Sequence, residues 1–263
     1  MDPRLNSLTI EKLLRSLLDF FLPRVCLACG RQLLESERHL CSSCAADLPL
    51  TFFESRTRNP MADRLNGRLL DEEVAGYLYA TALFYYEEGY ANITQALKYR
   101  RNFAAGRFFA RLLADSIAGA AHFSDVDLVT CVPLHWMRRR SRGYNQAEIV
   151  ACEVWRGLPG ARFEPRLLRR VRRTRSQAQL SEESKELNVK GAFALNKAVS
   201  LEGVHHILIC DDVFTTGSTL AACCRVLLQA LGPGVRISVA TLAYAGAQSS
   251  PICICIIITI LAT

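Results

Sequence analysis

The stretch ILICDDVFTTGST, residues 207 to 219, brings together residue types that can bind a charged ligand. Four apolar residues lead into two adjacent carboxylates, Asp211 and Asp212, and a run of small, hydroxyl-bearing residues follows. In an open parallel sheet, ligands bind beyond the carboxyl ends of the strands. The two acids, which emerge from the predicted strand 207–210, are therefore candidates for a binding site.

The TTGST run predicts a phosphate-binding loop at the start of a helix. Backbone N–H groups and hydroxyls can surround a phosphate, and the helix N-terminus adds partial positive charge. Glycine at the centre lets the main chain approach the ligand closely. An ordinary Ser/Thr helix cap is the alternative. The predicted loop residues are Thr215, Thr216, Gly217, Ser218 and Thr219.

The two carboxylates suggest which molecule carries the phosphate. Carboxylates cannot bind phosphate directly, but they accept hydrogen bonds from vicinal sugar hydroxyls or hold Mg²⁺. A ribose 5-phosphate fits both halves of the motif, with its phosphate in the loop and its 2′- and 3′-hydroxyls on Asp211 and Asp212. A P-loop nucleotide hydrolase is excluded because the chain contains no G-x-x-x-x-G-K-[ST] motif.

A second candidate loop, CVPLHWMRRRSRGYNQAE, leaves an earlier strand and enters a helix at residues 131 to 148. Positive charge at a helix start opposes the helix dipole, which suggests that an anion compensates it. Arginine suits that task because its guanidinium binds phosphate oxygens in pairs. The alternative is a solvated basic helix start. The candidate residues here are Pro133, Leu134, Arg138, Arg142, Asn145 and Gln146.

Positive charge is concentrated around this loop. The formal net charge is +7, and residues 138 to 185 carry thirteen basic and five acidic residues, a local excess of +8. The rest of the chain is therefore nearly neutral. A concentrated basic segment in a neutral body indicates a polyanionic ligand, either a phosphorylated metabolite or a nucleic acid.

Four cysteines form a separate motif, C-x2-C-x11-C-x2-C. Two thiolate pairs of this spacing complete a tetrahedral zinc shell and leave no position for an activated water, so the zinc should be structural. Gly30 suits the tight turn after the first pair, and His39 is expected to be a solvated loop residue. The metal ligands are Cys26, Cys29, Cys41 and Cys44.

The chain carries eleven cysteines in 263 residues but shows no secretory signal. Its N-terminal apolar stretch is interrupted by charged residues, so reduced thiols in a cytoplasmic protein are expected. The C-terminal apolar run of about 11 residues is shorter than the roughly 20 that span a bilayer. We therefore expect no transmembrane segment.

Strands and helices alternate in the second half of the chain, which predicts an α/β fold with a parallel sheet flanked by helices. The expected divisions follow from composition and periodicity. They are an amphipathic helix (1–24), a four-cysteine module like a double zinc ribbon (25–50), an irregular linker (51–74), the α/β domain (75–246) and an apolar tail of no assigned role (247–263).

The ICDDVFTTGST motif resembles the phosphoribosyl diphosphate (PRPP) signature of type I phosphoribosyltransferases. Together with R-x-R-G-Y-N-Q, R-x-T-x-S-Q-x-x-L-S, N-V-K-G-A-F and the CxxC pairs, it makes the chain resemble the ComF family of competence-associated proteins. The resemblance implies a zinc module ahead of a type I phosphoribosyltransferase-like domain. It also implies that the arginine loop binds pyrophosphate, with Mg²⁺ accompanying PRPP.

The same resemblance implies a hood over the site in the segment LLRRVRRTRSQAQLSEESKELNVKGAF, residues 167 to 193. Such hoods exclude water from a reacting sugar. An exposed β-ribbon with solvated charges is the alternative. The hood candidates are Arg172, Arg173, Arg175, Gln177 and Lys185.

Two functions remain open from the sequence. The family resemblance implies a protein that handles incoming single-stranded DNA on the cytoplasmic side, with a DNA-uptake helicase and recombination proteins as partners. The intact PRPP signature alternatively predicts an enzyme that transfers phosphoribose to a base or amine and releases pyrophosphate. No acceptor pocket and no catalytic base beyond the acid pair can be recognised in the sequence.

Overall fold

The computed structural model describes residues 23–70, 72, 76–172 and 191–246. The predicted N-terminal helix, up to residue 22, and the apolar tail from residue 247 lie outside the described residues. So do four of the hood candidates, Arg173, Arg175, Gln177 and Lys185.

A five-stranded, all-parallel sheet forms the centre of the structure, as the alternation of strands and helices predicts. Its strands lie in the order β1-β7-β6-β2-β3, and β4 and β5 form a separate antiparallel pair. The strands are β1 (Ala80–Tyr85), β2 (Leu128–Cys131), β3 (Arg162–Phe163), β4 (Leu168–Arg170), β5 (Phe193–Leu195), β6 (His206–Phe214) and β7 (Arg236–Tyr244).

Helices cover the sheet because its central strands are apolar on both faces. All residues of β1 and β2 and the first five of β6 are buried, which is typical of a parallel sheet enclosed between helical layers. The described helices are α1 (Ser42–Ala46), α2 (Pro60–Gly67), α3 (Ala91–Tyr99), α4 (Phe103–Ala118), α5 (Trp136–Arg142), α6 (Gln146–Arg156) and α7 (Ser218–Leu231), with 3-10 turns at Phe53–Ser55 and Ala121–Phe123.

Strand β6 is longer than predicted, and this changes the position of the acid pair. It runs past Cys210 to Phe214 because β7 continues to pair with it as far as Phe214↔Tyr244. Its pairing with β2, by contrast, ends at Cys131↔Cys210. The two acids therefore lie within the last part of the strand, beyond the end of β2, and not after the strand.

The segment expected to be an irregular linker, 51–74, differs most from the sequence interpretation. It contains the helix α2, whose Met61, Ala62 and Leu65 are buried against the sheet. Asn59 explains both the start and the docking of this helix. Its side-chain oxygen accepts from the Ala62 N–H (2.9 Å) and its amide donates to the Ala80 carbonyl of β1 (2.9 Å).

The cysteine-containing module docks on the edge of the same sheet. Leu50 forms an antiparallel bridge with Phe84 of β1, and the Tyr85 N–H donates to the Pro49 carbonyl at 2.8 Å. The Thr51 hydroxyl donates to the Ala82 carbonyl. These contacts cover the outer edge of β1, which would otherwise expose unpaired backbone groups.

No helix among the described residues is long and apolar enough to cross a membrane.

Replacing Asn59 with Ala is expected to lower the free energy of unfolding by about 2 kcal/mol, because it removes a helix cap and a buried hydrogen bond together. Urea denaturation of the variant and the wild type measures this. Ser55→Ala, which removes an exposed hydroxyl that donates to the Phe52 carbonyl, is the control and should cost little. Equal stability of the Asn59 and Ser55 variants would contradict the role assigned to Asn59.

Candidate functional site

Two adjacent carboxylates lie at the open edge of β6. Asp212 is almost fully buried and Asp211 is partly buried. The Asp212 N–H donates to Asp211 Oδ1 at 2.8 Å, which fixes the orientation of the first carboxylate. The pair thus occupies the carboxyl end of a central strand, the position where open parallel sheets bind their ligands.

Lys98, at the end of α3, neutralises one of these acids. Its Nζ lies 3.0 Å from Asp212 Oδ2, with the two side chains 26% and 11% exposed. Burial by itself would lower the pKa of Lys98, but the charge of Asp212, assisted by Asp211, raises that pKa above its usual value. Lys98 therefore stays protonated at neutral pH.

The other carboxylate has no equally close cation among the described residues. Burial, followed by the negative charge of Asp212, raises the pKa of Asp211 to about 7. Lys98 and Arg170 oppose this rise only in part. Near neutral pH the pair thus carries less negative charge than two ordinary carboxylates, and an incoming ligand meets a partly protonated acid.

The predicted phosphate loop connects β6 to α7 and turns sharply at Gly217. This residue has φ +78°, the left-handed region that glycine adopts without strain. A Cβ here would lie 2.6 Å from the Phe214 ring. Thr216 Oγ1 and Ser218 Oγ are hydrogen-bonded at 2.9 Å. The loop is therefore a tight turn with hydroxyls gathered at the N-terminus of a 14-residue helix.

Two arginines, one in α2 and one directly after it, donate hydrogen bonds to backbone carbonyls of this loop. Arg68 Nε donates to the Thr216 carbonyl at 2.6 Å, and Arg64 Nη1 donates to the Thr215 carbonyl at 3.3 Å. In a trans peptide the C=O and the following N–H point in opposite directions. Drawing the carbonyls toward α2 thus turns the N–H groups of the next residues away from it, as phosphate binding requires. Sequence reasoning missed both arginines because they lie in the expected linker.

The arginine-rich segment forms helix α5, and Gly143 (φ +83°) separates it from α6. Arg138 and Arg142 lie on this helix, and Arg139 pairs with Glu148 at 3.5 Å. The Tyr144 hydroxyl donates to the Leu97 carbonyl, next to Lys98. This contact places the segment beside the acid pair.

Two residues predicted for the arginine loop face the protein interior. Asn145 is buried and donates to the Val132 carbonyl at 3.0 Å, which ties the start of α6 to the end of β2. Gln146 is buried as well. Pro133 is buried and Leu134 partly so. These four residues therefore support the loop structurally.

Only the base of the predicted hood is described, as the β4–β5 pair. Arg170 lies over the Phe193 ring with 5.1 Å from Cζ to the ring centroid, and its charge opposes part of the rise in the pKa of Asp211. Arg170 is therefore a cation near the acid pair that the sequence interpretation did not single out. Arg172 lies at the end of the described part of this segment.

The four predicted zinc ligands converge. The sulfur atoms of Cys26, Cys29, Cys41 and Cys44 all lie within 4.8 Å of one another. The Cys29 and Cys41 sulfurs are 3.8 Å apart, close to the spacing expected in a tetrahedral shell with Zn–S bonds of about 2.3 Å. Burial would raise the pKa of Cys26, but backbone hydrogen bonds at Cys29, Cys41 and Ala28 lower it to about 7. The donor set fits structural zinc.

Polar contacts position the two halves of the zinc module. Glu37 accepts from the N–H groups of Leu34 (2.8 Å) and Ser42 (2.7 Å). Hydrogen bonds from Ser42 and Leu34 lower the pKa of Glu37 to about 2.

His39 is not the solvated loop residue expected from the sequence, because it packs on Phe108 of α4 with ring centroids 5.2 Å apart. The module is thereby anchored to the α/β domain.

Comparison with known proteins agrees with both parts of the chain. A family profile described as Phosphoribosyl transferase domain matches residues 142–260, and one described as Double zinc ribbon domain matches residues 17–55. The second match begins before the predicted module, 25–50, and ends after it.

Curated relatives come from several bacteria. The chain is 33% identical over 141 residues to DNA utilization protein YhgH of Salmonella typhi and 31% identical over 153 residues to Competence protein F of Haemophilus influenzae. It is 32% identical over 145 residues to DNA utilization protein YhgH of Escherichia coli K12. These alignments cover 52%, 56% and 54% of this chain, and the chain spans 60%, 65% and 62% of the respective relatives.

Replacing Asp211 with Asn should stabilise the protein at high pH. A folded pKa near 7, above the usual 3.8, means that the native state binds this proton more tightly than the unfolded chain. The wild type therefore loses stability as pH rises from about 4 to about 7, and the variant does not. We expect a gain on the order of 2 kcal/mol at pH 8.5 that shrinks toward pH 4.5.

Urea denaturation at these two pH values measures the difference. Asp115→Asn, at an exposed position of α4, is the control and should show no such pH dependence. A gain of the same size at both pH values would contradict the raised pKa.

Replacing Cys41 with Ser should remove the metal and lower the melting temperature, since the module covers one edge of the sheet. Zinc released by a mercurial reagent and counted with a chromogenic chelator should fall from one per chain to none. Cys152→Ser, outside the cluster, should retain one zinc. Unchanged zinc content in the Cys41 variant would mean that the metal is held elsewhere.

Proposed function

We propose that the cleft of this chain binds PRPP or a related ribose 5-phosphate ligand. The matches to a phosphoribosyl transferase domain and a double zinc ribbon domain, and the similarity to DNA utilization protein YhgH and Competence protein F, support this proposal. One observation carries this proposal. Lys98, the acid pair and the Gly217 loop meet at the carboxyl end of a single strand, β6.

Each part of the ligand has a matching group in the cleft. The 5-phosphate binds the loop at the N-terminus of α7, where N–H groups and hydroxyls collect. The ribose 2′- and 3′-hydroxyls donate to Asp211 and Asp212. The pyrophosphate lies toward the arginine-rich helix α5, because this helix supplies positive charge beyond that of Lys98, which is already paired with Asp212.

Mg²⁺ would enter with the diphosphate of the ligand. Its oxygen ligands would come from the diphosphate and from the acid pair, which is the donor chemistry that Mg²⁺ prefers. The metal would neutralise diphosphate charge, while Lys98 balances Asp212 in the protein itself. Partial protonation of Asp211 is consistent with this arrangement, because the cleft without ligand then avoids two adjacent negative charges.

The cellular role that we propose is DNA handling during uptake, with PRPP or a nucleotide as a regulatory ligand. The names of the relatives, DNA utilization protein and Competence protein F, support this role. Single-stranded DNA on the cytoplasmic side is the proposed polyanion, and a DNA-uptake helicase and recombination proteins are the proposed partners.

Catalysis is the second candidate function, in which phosphoribose passes from PRPP to a base or amine. Lys98 favours it, because its ammonium group lies 3.0 Å from Asp212 and supplies positive charge where a departing pyrophosphate would need it. The test is pyrophosphate release from Mg²⁺–PRPP with a panel of nucleobases and amines. Release dependent on one acceptor and lost in Lys98→Met would support catalysis, and no release with any of them would exclude it for that panel.

Binding to the loop is tested by calorimetry with Mg²⁺–PRPP, ribose 5-phosphate and ribose. We expect affinity to fall in that order, with no measurable binding of ribose. Gly217→Ala should weaken PRPP binding at least tenfold, because the added Cβ meets the Phe214 ring in a left-handed turn.

Gly203→Ala is the matched control, since Gly203 also has positive φ (+70°) but has open space around it. It should bind as the wild type does. If the Gly217 and Gly203 variants bound PRPP equally well, the loop would not be the phosphate site.

A further inference from the structure

Three exposed arginines surround one buried carboxylate on the α4–α6 face, and the ribose-phosphate cleft does not use them. Glu153 of α6 is only 3% exposed. Arg111 Nε lies 3.0 Å from its Oε2, and Arg156 Nη1 and Arg107 Nε lie 2.5 and 3.9 Å from its Oε1. We call this group the Glu153 arginine cluster.

The cluster is a preorganised cationic surface. The side chains of Arg107, Arg111 and Arg156 are 54%, 64% and 57% exposed, respectively. Within the described part of the chain, Glu153 is the acid they share, and one carboxylate balances only one of three guanidiniums. The remaining charge of about +2 is held in place by a buried partner, which reduces the side-chain entropy lost when a phosphate binds.

Further arginines connect the cluster to the rim of the cleft. Arg107 and Arg111 are one helical turn apart on α4, whose first residue follows directly after Arg101 and Asn102. Arg100 and Arg101 are exposed, and Arg101 Nη2 lies 3.7 Å from the position that a Cβ on Gly143 would occupy. At 1.5 Å per residue, this track runs about 12 Å along α4.

An exposed aromatic ring lies at the cleft end of the track. Tyr99 is 70% exposed and directly precedes Arg100 and Arg101. Aromatic rings beside a positively charged groove bind single strands, because each unpaired base can stack on a ring while phosphates follow the basic groups. The combination favours single-stranded over double-stranded nucleic acid.

We propose that the Glu153 arginine cluster and the adjoining Arg100–Arg101 rim bind the phosphate backbone of single-stranded DNA, with Tyr99 stacking on a base. This inference rests on the proposed DNA-handling role and assigns it a surface outside both the cleft and the hood. DNA bound here would run from the cleft rim across α4, and the ribose-phosphate site would stay accessible.

The test is fluorescence anisotropy with a labelled oligothymidine across a range of salt concentrations. The variant Arg107→Gln/Arg111→Gln/Arg156→Gln/Glu153→Gln removes the cluster and leaves no unpaired buried carboxylate. We expect at least tenfold weaker binding. The slope of log K against log salt should become shallower by about 1.4, at roughly 0.7 for each of the two net positive charges removed.

The control is Arg162→Gln/Arg166→Gln, which removes the same net charge of two at exposed positions elsewhere. Its DNA affinity should stay within twofold of the wild type. Both variants should bind Mg²⁺–PRPP as the wild type does. Should the quadruple variant misfold, Arg107→Gln is tested alone, because it removes only the longest ion pair. It should reduce the slope of log K against log salt by about 0.7.

The outcomes separate this inference from the proposed function. If the wild type binds oligothymidine and the quadruple variant binds it as tightly as the control does, the assignment of this surface is wrong but DNA binding stands. If the wild type does not bind oligothymidine, both this surface and the DNA-handling role fail, whatever the result with PRPP. Tighter binding of a duplex of equal length would overturn the choice of single-stranded DNA.

Discussion

The central constraint in this structure is the placement of two consecutive acidic residues in a strand that is mostly buried. Burial and mutual repulsion make two full negative charges costly there. The protein offsets this cost by placing Lys98 at 3.0 Å from Asp212 and by raising the pKa of Asp211. Such an arrangement contributes little to stability, so we attribute it to ligand binding.

Neighbouring elements are arranged around this strand. The early end of β2 leaves an open edge beside the acids, Tyr144 holds the α5–α6 turn against the end of α3, and Arg64 and Arg68 draw the loop carbonyls toward α2. The zinc module takes part indirectly, because its chain continues through Thr51 onto the edge of β1. One continuous segment of the chain therefore connects the zinc module to the edge of the sheet that contains the cleft.

Local patterns in the sequence predict the parallel sheet, the glycine loop and the cysteine quartet, because each follows from residue types a few positions apart. Helix α7 begins at Ser218, within the TTGST run that predicts a helix start. What the sequence could not reveal depends on distant contacts. The segment 51–74 reads as irregular because its proline and glycine mask a helix that Asn59 starts and the sheet stabilises.

The same limit applies to the site. Lys98 lies more than a hundred residues before the acids, and no spacing rule connects them. Likewise, the sequence predicts Asn145 and Gln146 as loop residues available to a ligand, whereas both are buried and Asn145 ties the loop to the end of β2. Glu153 could be recognised only once α4 and α6 were seen to pack together.

The role of the acid pair in ligand binding is tested most directly by a calorimetric titration of Mg²⁺–PRPP into the wild type and into Asp211→Asn/Asp212→Asn. Asparagine keeps the size of each side chain but removes the charge that orders the sugar hydroxyls and the metal. We expect saturable binding to the wild type and at least a hundredfold loss of affinity in the double variant, with zinc content unchanged. Equal affinity in the two proteins, or no saturable binding to the wild type, would contradict this role.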